Sequence, residues 1–561
     1  MKKMIKKTFC GAFALAIACG AFGCASPNDI GNSNTQIQVD EKRTQLYVFN
    51  FDGGYGAEWM STAIAEYEKL HAEDIYEEGK VGVQIIPTHT KKTREGAEIL
   101  SNREEVYFTE AVQYYQSIND GAFADITDIV VKANVYEQEK TIESKMTQEQ
   151  KDYFGYKKDG KTIYYGIPHY SGAFGLVYDI DLFDEKGFYF KDGYNPSDAL
   201  EEHFIYDVND KKSAGPDGVK DTSDDGLPAT YTEFIELCDY ISSIGLTPIC
   251  WSGANYSGYI SMLYNQLVVN DAGLEDSLMM YSMEGTADKL GVVNENGEFV
   301  RDANPTTITA DNAYELYRHE SKYKALEFLR KIIRTEKYLN ETAFTNTHEH
   351  TTAQDDFLWS GKDGMTKSMA MLADGVWWQS EANETFKAMG TQMAAWNKEN
   401  RNFGWMPLPK AEQKDQKNVY FDHLYSMCFV KKNIAAWKLP LAVDFIQFVH
   451  TDENLKMFTK TTNTPKAYNY EMNASDLAEL TPFGRSVLEY KQNADVLYPF
   501  SSQAKFLNNQ SMFTAGEGYK ATIDKNDVIY PSMTLHEKNV SAKTYFEGMY
   551  TYYKKAWGTL R

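Results

Sequence analysis

Aromatic rings and polar side chains occur together at five places in this 561-residue chain, mostly in turn-like segments. Phe, Trp and Tyr make up 14% of the residues, and many of them stand beside Gly, Asn, Asp or Ser rather than inside apolar periodic runs. Loops on a rigid scaffold are where binding residues concentrate, and aromatic rings offer flat apolar faces. We therefore predict a ligand-binding site, although each single ring has a core or interdomain position as its alternative. The candidate residues are Tyr55, Glu58, Trp59, Thr109, Glu110, Trp251, Asn255, Tyr256, Asp374, Trp377, Trp378 and Trp405.

A second cluster of side chains is acidic and has spacing suited to a metal ion. Its members are Asp217, Asp221, Asp224, Asp225 and Glu233. Oxygen ligands on alternate residues from Asp221, followed by Gly226, mimic the start of a calcium-binding loop. The bidentate carboxylate of such a loop would fall at Thr232, whereas Glu233 comes one residue later. The sequence thus predicts either a structural calcium ion or an acidic, solvated surface loop.

The motifs of several catalytic classes do not occur in the sequence. There is no G-x-S-x-G elbow, no H-E-x-x-H zinc motif, no phosphate-binding loop and no dinucleotide fingerprint. His348 and His350 have no assignable third metal ligand, which is more typical of a polar surface. Among 80 acidic residues, some carboxylate pair at a hydrolytic separation is inevitable and carries little weight. We predict binding without turnover, no required cofactor and no enzymatic activity.

The elements that must position these residues alternate between strands and helices. Residues 45–51 have the pattern of a strand, residues 52–56 form a glycine-containing turn, a helix follows, and residues 81–86 form the next strand. Strand, helix and strand in this order imply parallel pairing with a right-handed crossover. Ligands bind at the carboxyl ends of such strands, so the turn is expected to line the site. The alternation continues along the chain and predicts an α/β fold.

Composition and charge exclude several other classes of protein. Hydrophobic residues are 43% of the chain and charged residues 24%, which is ordinary for a globular protein. The formal net charge of −23 repels phosphate backbones, so we expect no nucleic-acid partner. Outside the N-terminal segment the cysteines are Cys238, Cys250 and Cys428, too few for a disulfide framework and without C-x-x-C metal spacing.

The first 24 residues have the pattern of an export signal. Four lysines precede a short apolar run, and small residues lead to Cys24. The apolar run is too short for a membrane span of about 20 residues. Because residues 21–24 resemble a bacterial lipobox, we predict a signal peptide at 1–23, lipidation of Cys24 and a flexible tether at 24–43. Cys19 is a second lipidation candidate, and an ordinary cleaved signal is the alternative.

The order of segments along the mature chain resembles the extracellular solute-binding proteins of bacterial ABC importers, in particular the carbohydrate-binding, maltose-binding-protein-like group. Each segment alone is weak, but their order and spacing together carry the resemblance. The matching segments are residues 53–59, 106–110, 121–128, 165–168, 177–183, 247–251, 371–378, 404–409, 444–448 and 463–465.

The resemblance implies two α/β lobes with a ligand cleft between them and hinge crossings. It places residues 44–168 and 403–470 in an N-terminal lobe and residues 169–402 and 471–561 in a C-terminal lobe. It also implies a monomer held at the outer face of the bacterial cell membrane by its lipid anchor alone. Its partners would be a carbohydrate ligand and the membrane subunits of an ABC permease.

The chemistry of sugars agrees with the residue types of the predicted site. A pyranose has an apolar face that stacks on Trp or Tyr, and hydroxyl groups that need carboxylate or amide partners. The sequence therefore predicts capture of a carbohydrate, most simply an oligosaccharide, by closure of the two lobes. The alternatives are a secreted glycoside-active hydrolase and a surface glycan-binding protein that is not coupled to import.

Overall fold

The computed structural model describes residues 38–560 except residues 111, 208–209, 254–256, 346, 363, 365, 413–415, 504–505, 508, 510–518, 529–533 and 537–538. The strands are β1 (Thr44–Phe51), β2 (Val83–Thr90), β3 (Val106–Thr109), β4 (Gly155–Lys158), β5 (Lys161–Tyr164), β6 (Ile167–Pro168), β7 (Phe174–Asp179), β8 (Thr247–Cys250), β9 (Gly285–Ala287), β10 (Gly291–Val293), β11 (Phe299–Arg301), β12 (Thr306–Ile308), β13 (Met369–Gly375), β14 (Phe403–Met406), β15 (Val419–Phe421), β16 (Met427–Val430), β17 (Asp495–Leu497), β18 (Ala521–Ile523) and β19 (Asn526–Val528).

The α-helices alternate with these strands along the chain. They are α1 (Glu58–Leu70), α2 (Ala97–Ser101), α3 (Tyr114–Asn119), α4 (Thr127–Val131), α5 (Gln148–Phe154), α6 (Ile180–Lys186), α7 (Tyr231–Ser243), α8 (Ser257–Ala272), α9 (Leu274–Ser282), α10 (Glu320–Ile333), α11 (His350–Trp359), α12 (Trp378–Glu381), α13 (Asn383–Gln392), α14 (Leu439–Val449), α15 (Asp452–Thr462), α16 (Ala474–Ala478), α17 (Pro482–Asn493) and α18 (Ala542–Trp557). Within the described part of the chain, no helix is both long and apolar enough to cross a membrane.

A five-stranded sheet contains the first βαβ unit. Its strand order is β2-β1-β3-β16-β6. Strand β1 pairs in parallel with β2 and β3, and β16 runs antiparallel to β3. Helix α1 connects β1 to β2 and buries Trp59, Met60, Ala63 and Tyr67. The predicted strand–helix–strand unit is therefore confirmed, and its parallel pairing brings the carboxyl ends of β1, β2 and β3 to one edge.

A four-stranded sheet contains the strand that precedes the Asp374–Trp378 cluster. Its order is β14-β7-β13-β8, in which β13 is parallel to β8 and antiparallel to β7. Strand β14 pairs with β7, so residues 403–406 lie in this second sheet. The family resemblance places them in the N-terminal lobe instead, and the short run Phe403–Met406 carries no local signal for the sheet that it joins.

The chain passes between the two sheets in segments that are tied to one another. One crossing joins β6 to β7, and another joins β14 to β16. The Asp422 carboxylate in the second crossing accepts hydrogen bonds from the Ser171 hydroxyl (2.7 Å) and the Gly172 amide (3.1 Å) in the first. Thr464, on a later segment, donates to the carbonyl of Val376 just after β13 (2.9 Å). The Ser171 amide also donates to the carbonyl of Pro465 (3.3 Å), so the three segments form one hydrogen-bonded junction beside the end of β13.

The three cysteines outside the N-terminal segment are buried free thiols. Cys238 lies on the buried face of α7 with Phe234, Leu237 and Ile241. Burial raises the pKa of each thiol, which makes thiolate chemistry unfavourable. Cys238 is therefore a small hydrophobic residue of the core.

Candidate ligand-binding site

The two sheets meet at the carboxyl ends of β1 and β13. A Cβ atom built on Gly54, just after β1, would lie 3.2 Å from the Cβ of Trp377, just after β13. Tyr55 and Trp377 are 3% and 6% exposed, so the lobes are in contact here and the site is closed. We call this junction the interlobe site and define it as Asp52, Tyr55, Glu110, Tyr259, His350, Asp374, Trp377 and Glu381.

Aromatic rings form one part of the interlobe site. The Trp377 indole N–H donates to the Tyr259 hydroxyl at 3.4 Å, and Phe174 packs edge-on against Tyr259. Gly375 accommodates the six-membered ring of Trp377, because a Cβ there would lie 2.3 Å from it. Tyr55 lies 4.0 Å from Tyr170, centroid to centroid. The two lobes thus contribute separate aromatic groups to the same junction.

A hydrogen-bonded carboxylate network forms the C-terminal-lobe side of the site. The Gln354 side-chain amide donates to Asp374 at 2.9 Å and to Glu381 at 2.7 Å. His350 lies 3.2 Å from the other oxygen of Glu381. Asp374 is 1% exposed, and its second oxygen accepts from the amide of Gly375 at 2.7 Å. Gln354 therefore holds two carboxylates within hydrogen-bonding distance of a single nitrogen.

The N-terminal lobe supplies further carboxylates from strand ends. Glu110 follows β3 and accepts a 2.5 Å hydrogen bond from the Tyr170 hydroxyl. Asp52 follows β1, and its backbone amide donates to Thr90 at the end of β2. The exposed Lys91 comes next after Thr90, and its positive charge acts on both Asp52 and Glu381. Charges from the two lobes therefore interact across the junction.

Burial and like charge shift the pKa values of these acids. Burial raises the pKa of Glu110 to about 7, and the charge of Glu381 adds to the shift. Burial together with the charge of Glu381 also raises the pKa of Asp374 to about 7. Burial opposes ionisation of Glu381 too, but His350 and Gln354 hold its pKa below the usual value. At neutral pH, Glu381 is therefore the ionised partner of Asp374.

We expect the Glu110→Gln variant to be more stable than the parent protein at pH 8. The folded-state pKa of about 7 lies above the ordinary value of 4.5, so the stability that protonated Glu110 contributes is complete below about pH 4.5 and is lost as pH rises through 7. Glutamine keeps an acceptor for Tyr170 without the charge. Urea unfolding should show a gain of about 1–3 kcal/mol at pH 8 and none at pH 4. The exposed Glu58→Gln serves as the control, and equal stability of Glu110→Gln and parent at pH 8 would contradict the assignment.

Four of the predicted residues come together in the interlobe site. They are Tyr55, Glu110, Asp374 and Trp377. Thr109 is adjacent but 1% exposed, and its hydroxyl donates to the neighbouring Glu110 carbonyl. Glu58 is exposed at the first turn of α1. Asn255 and Tyr256 lie outside the described residues, as does the predicted lipidation site Cys24.

The other four tryptophans of the predicted site belong to the hydrophobic core. Trp59, Trp251, Trp378 and Trp405 are each at most 1% exposed. Trp378, for example, packs edge-on against Phe357, Phe386, Phe403 and Phe483. Trp405 covers Gly175 and lines a separate cavity of about 230 Å³ whose lining does not include Tyr55 or Trp377. These rings are buried among other side chains in this closed structure, and Trp405 borders a cavity, so the stacking role predicted for the four stays a prediction.

Sequence reasoning missed several residues in the site or in contact with it. His350 had been interpreted as polar surface, and Tyr259, Gln354 and Glu381 had not been singled out. These residues sit on helices α8, α11 and α12, where periodicity alone does not separate a site-facing polar residue from a solvent-facing one. Asp52 had a usable signal, because it directly follows a buried strand in a βαβ unit.

The acidic cluster uses its carboxylates to close its own loop. Asp224 accepts from the Asp217 amide (3.1 Å) and the Thr222 hydroxyl (2.8 Å), and Asp225 accepts from the Asp221 amide (2.9 Å). Glu233 instead caps α7 by accepting from the amides of residues 229 and 230. Among the described residues, no group of three or more His, Cys, Asp or Glu side chains is arranged to hold a metal ion. Calcium binding stays a prediction, and Glu233 leaves its ligand set.

Comparison with solved structures identifies the fold. A chitin oligosaccharide binding protein aligns over 92% of this chain and 100% of its own, with 14% identity and a TM-score of 0.53. Maltose-bound MalE3 of T. maritima aligns over 91% and 100%, with 14% identity and a TM-score of 0.52. The GacH receptor of Streptomyces glaucescens GLA.O aligns over 92% and 100%, with 11% identity and a TM-score of 0.53.

These likenesses establish the class of fold to which the chain belongs. No protein-family model matches the sequence, and no curated protein matches it significantly. The identities are low, but the alignments extend over nearly the whole length of each solved chain. The chain has the α/β, two-lobed fold of MalE-like binding proteins, so the fold that the sequence resemblance implied is confirmed.

Proposed function

We propose that this protein is the substrate-binding component of an ABC importer and that it captures a carbohydrate in the interlobe site. The observation that carries the proposal is the convergence of Tyr55, Trp377 and carboxylates from both lobes at the strand ends of a MalE-like fold. The solved structures with this fold include a chitin oligosaccharide binding protein and maltose-bound MalE3. The sugars that those two proteins bind support carbohydrate as the ligand class.

The residues of the site match the two surfaces of a sugar ring. A pyranose C–H face can stack on the rings of Trp377, Tyr259 or Tyr55 once the lobes separate. Its hydroxyl groups can donate to the carboxylates of Asp52, Glu110 and Glu381. Because these groups are divided between the lobes, a bound sugar would bridge them.

Hinge closure is the mechanism that we propose for capture. The tied crossing segments at Asp422 and Thr464 would provide a common pivot, and Gly54 and Trp377 meet across the closed junction. A ligand that contacts both lobes binds the closed state better than the open state, so it shifts the population towards closure. The closed form would then dock on the permease, and the lipid anchor on Cys24 would keep it at the membrane.

A glycan panel tests the proposed function. A ligand that binds only the folded state must raise its melting temperature, so the domain from residue 38 onwards is screened by thermal shift against neutral, amine-bearing and uronic-acid oligosaccharides. X-ray scattering with and without the best ligand should then show a smaller radius of gyration in its presence. Absence of a thermal shift with every glycan would overturn carbohydrate binding, whereas binding with an unchanged scattering profile would overturn hinge closure alone.

A secreted hydrolase is the second candidate, favoured by one observation. Asp374 with a pKa of about 7 and the ionised Glu381 resemble the acid and base of a glycosidase. Against this, both oxygens of Asp374 already accept hydrogen bonds from Gln354 and Gly375, and the side chain is 1% exposed. Chromatography of the best-binding glycan after long incubation decides between the two, because only the hydrolase releases shorter products.

A further inference from the structure

The interlobe site contains more acidic groups than basic groups. Asp52 and Glu110 come from the ends of β1 and β3, while Asp374 and Glu381 come from β13 and α12. The positive charges that act on them are those of Lys91 and His350. His350 lies 3.2 Å from Glu381 and so pairs directly with that carboxylate, whereas Lys91 is exposed at the edge of the site.

Proximity makes this acidic excess a property of the site itself. One Gln354 nitrogen lies within 2.9 Å of both Asp374 and Glu381, which fixes these two carboxylates as neighbours. On the N-terminal-lobe side of the junction, Tyr170 connects Glu110 to Tyr55. Its hydroxyl lies 2.5 Å from the Glu110 carboxylate, and its ring centroid lies 4.0 Å from that of Tyr55. One oxygen of Asp52 is buried without a hydrogen-bond partner among the described residues. This carboxylate oxygen can therefore accept a hydrogen bond from a ligand.

We infer that the interlobe site selects its ligand by charge and that its preferred ligand is a glycan with free, protonated amino groups. This inference rests on the proposed carbohydrate-binding function and specifies the class of sugar. An ammonium group presents three donors and a positive charge, so it satisfies carboxylates from both lobes at once. A uronic acid would instead bring a further carboxylate next to Glu110 and Glu381.

Closure strengthens this discrimination. Shutting the lobes excludes water, and charge–charge interactions become stronger in the less polar interior. Closure would therefore strengthen the attraction between an amine and the acidic groups, and it would strengthen the repulsion of a carboxylate. Repulsion between like charges in an interface weakens binding of the wrong partner and so provides specificity. The acidic groups therefore favour closure on a basic glycan and oppose closure on an acidic one.

The first test compares three charge classes of oligosaccharide at equal chain length. Fully deacetylated glucosamine oligomers, N-acetylglucosamine and glucose oligomers, and galacturonate oligomers of two to six units are titrated by calorimetry at pH 7 and 150 mM salt. We expect the amine-bearing oligomers to bind at least about tenfold more tightly than their neutral counterparts. We expect no measurable binding of the galacturonates. Galacturonate binding as tight as that of the neutral oligomers would overturn the inference.

The second test separates the site from the acidic surface of the whole protein. Glu381→Gln removes one charge inside the interlobe site, and Glu384→Gln removes one charge at an exposed position three residues later, where the side chain is 85% exposed. Glu381→Gln should weaken binding of the amine-bearing oligomer about tenfold more than it weakens binding of the neutral oligomer. Glu384→Gln should leave both affinities unchanged. Equal losses in the two variants would mean non-specific attraction to the surface and would overturn the inference.

The outcomes distinguish the inference from the proposed function. Neutral oligomers that bind as tightly as the amine-bearing ones overturn the charge preference and leave carbohydrate binding in place. Failure of every glycan in all three classes overturns carbohydrate binding and the inference with it. Since a substitution at Glu381 can also disturb its hydrogen bonds to His350 and Gln354, the melting temperature of Glu381→Gln is measured without ligand. The affinity ratio between amine-bearing and neutral oligomers in the parent protein stands whether or not this variant folds.

Discussion

Replacing Trp377 with alanine is expected to weaken binding of the best glycan by about five- to 150-fold. Trp377 follows β13 at the contact between the lobes, and its indole is held by the Tyr259 hydroxyl and covered by the Gly54 loop. Truncation of a buried aromatic anchor costs about 1–3 kcal/mol of binding free energy. The variant loses both the ring surface on which a sugar would stack and a contact that completes closure of the lobes. Calorimetric titration of parent and variant measures it directly.

Trp405→Phe is the matched control for this experiment. Both tryptophans stood out in the sequence for the same reason, but Trp405 is 1% exposed and packs near Phe483 and Tyr490 in the core. The control should lower the melting temperature while leaving the dissociation constant within about twofold. Parent-like affinity in Trp377→Ala, or an equally large loss in Trp405→Phe, would contradict the placement of the site. Circular dichroism confirms that each variant remains folded.

The Arg401→Ala variant is expected to lose about 3–5 kcal/mol of unfolding free energy. Arg401 is 4% exposed, and its guanidinium lies 2.6 Å from Asp179 while also donating to the carbonyl of Leu358 at 3.0 Å. Asp179 is 7% exposed, so alanine at 401 would leave a buried carboxylate without its cationic partner. That carboxylate also caps α6 through the amide of Leu182. Urea unfolding should show the loss as a lower midpoint.

Lys387→Ala provides the comparison for an exposed ion pair. The Lys387 ammonium lies 2.7 Å from Glu384, but the two side chains are 63% and 85% exposed. Such pairs contribute about 0–1 kcal/mol, because water screens the charges and ordering the long side chains costs entropy. A loss for Arg401→Ala as small as that for Lys387→Ala would show that the Arg401–Asp179 pair is not needed for stability. We expect the larger loss of unfolding free energy for Arg401→Ala because its ion pair is buried. The distances do not decide it, since they are nearly equal in the two pairs.

Much of the fold was accessible from the order of residues. The strand at Thr44–Phe51, the helix behind it and the parallel strand at Val83–Thr90 agree with the predicted pattern. Local periodicity is strong there because one face of each element is buried. Strand β14 was misplaced because four residues carry too little pattern to name their partner strand. Its pairing with β7 depends on a contact more than two hundred residues away in sequence.

The candidate site was only partly accessible from sequence. Rings beside turn residues were expected to line a ligand site, but Trp378 packs inward although Trp377 directly before it reaches the junction. Adjacent side chains on a turn point in different directions, and the backbone path that decides between them is set by tertiary packing. The same applies to His350 and Glu381, whose pairing across 31 residues joins two helices.

The amino-acid sequence by itself determined the class of this protein: an α/β chain, with strand ends that present acids and rings, and with an N-terminal pattern typical of export. These properties follow from local propensity, hydrophobic period and composition, which act over a few residues at a time. Only the tertiary structure decided which rings remain for a ligand and which complete the core, and which carboxylates lie together. Burial and charge interaction depend on distances between remote parts of the chain, and those distances exist only once both sheets have formed and met.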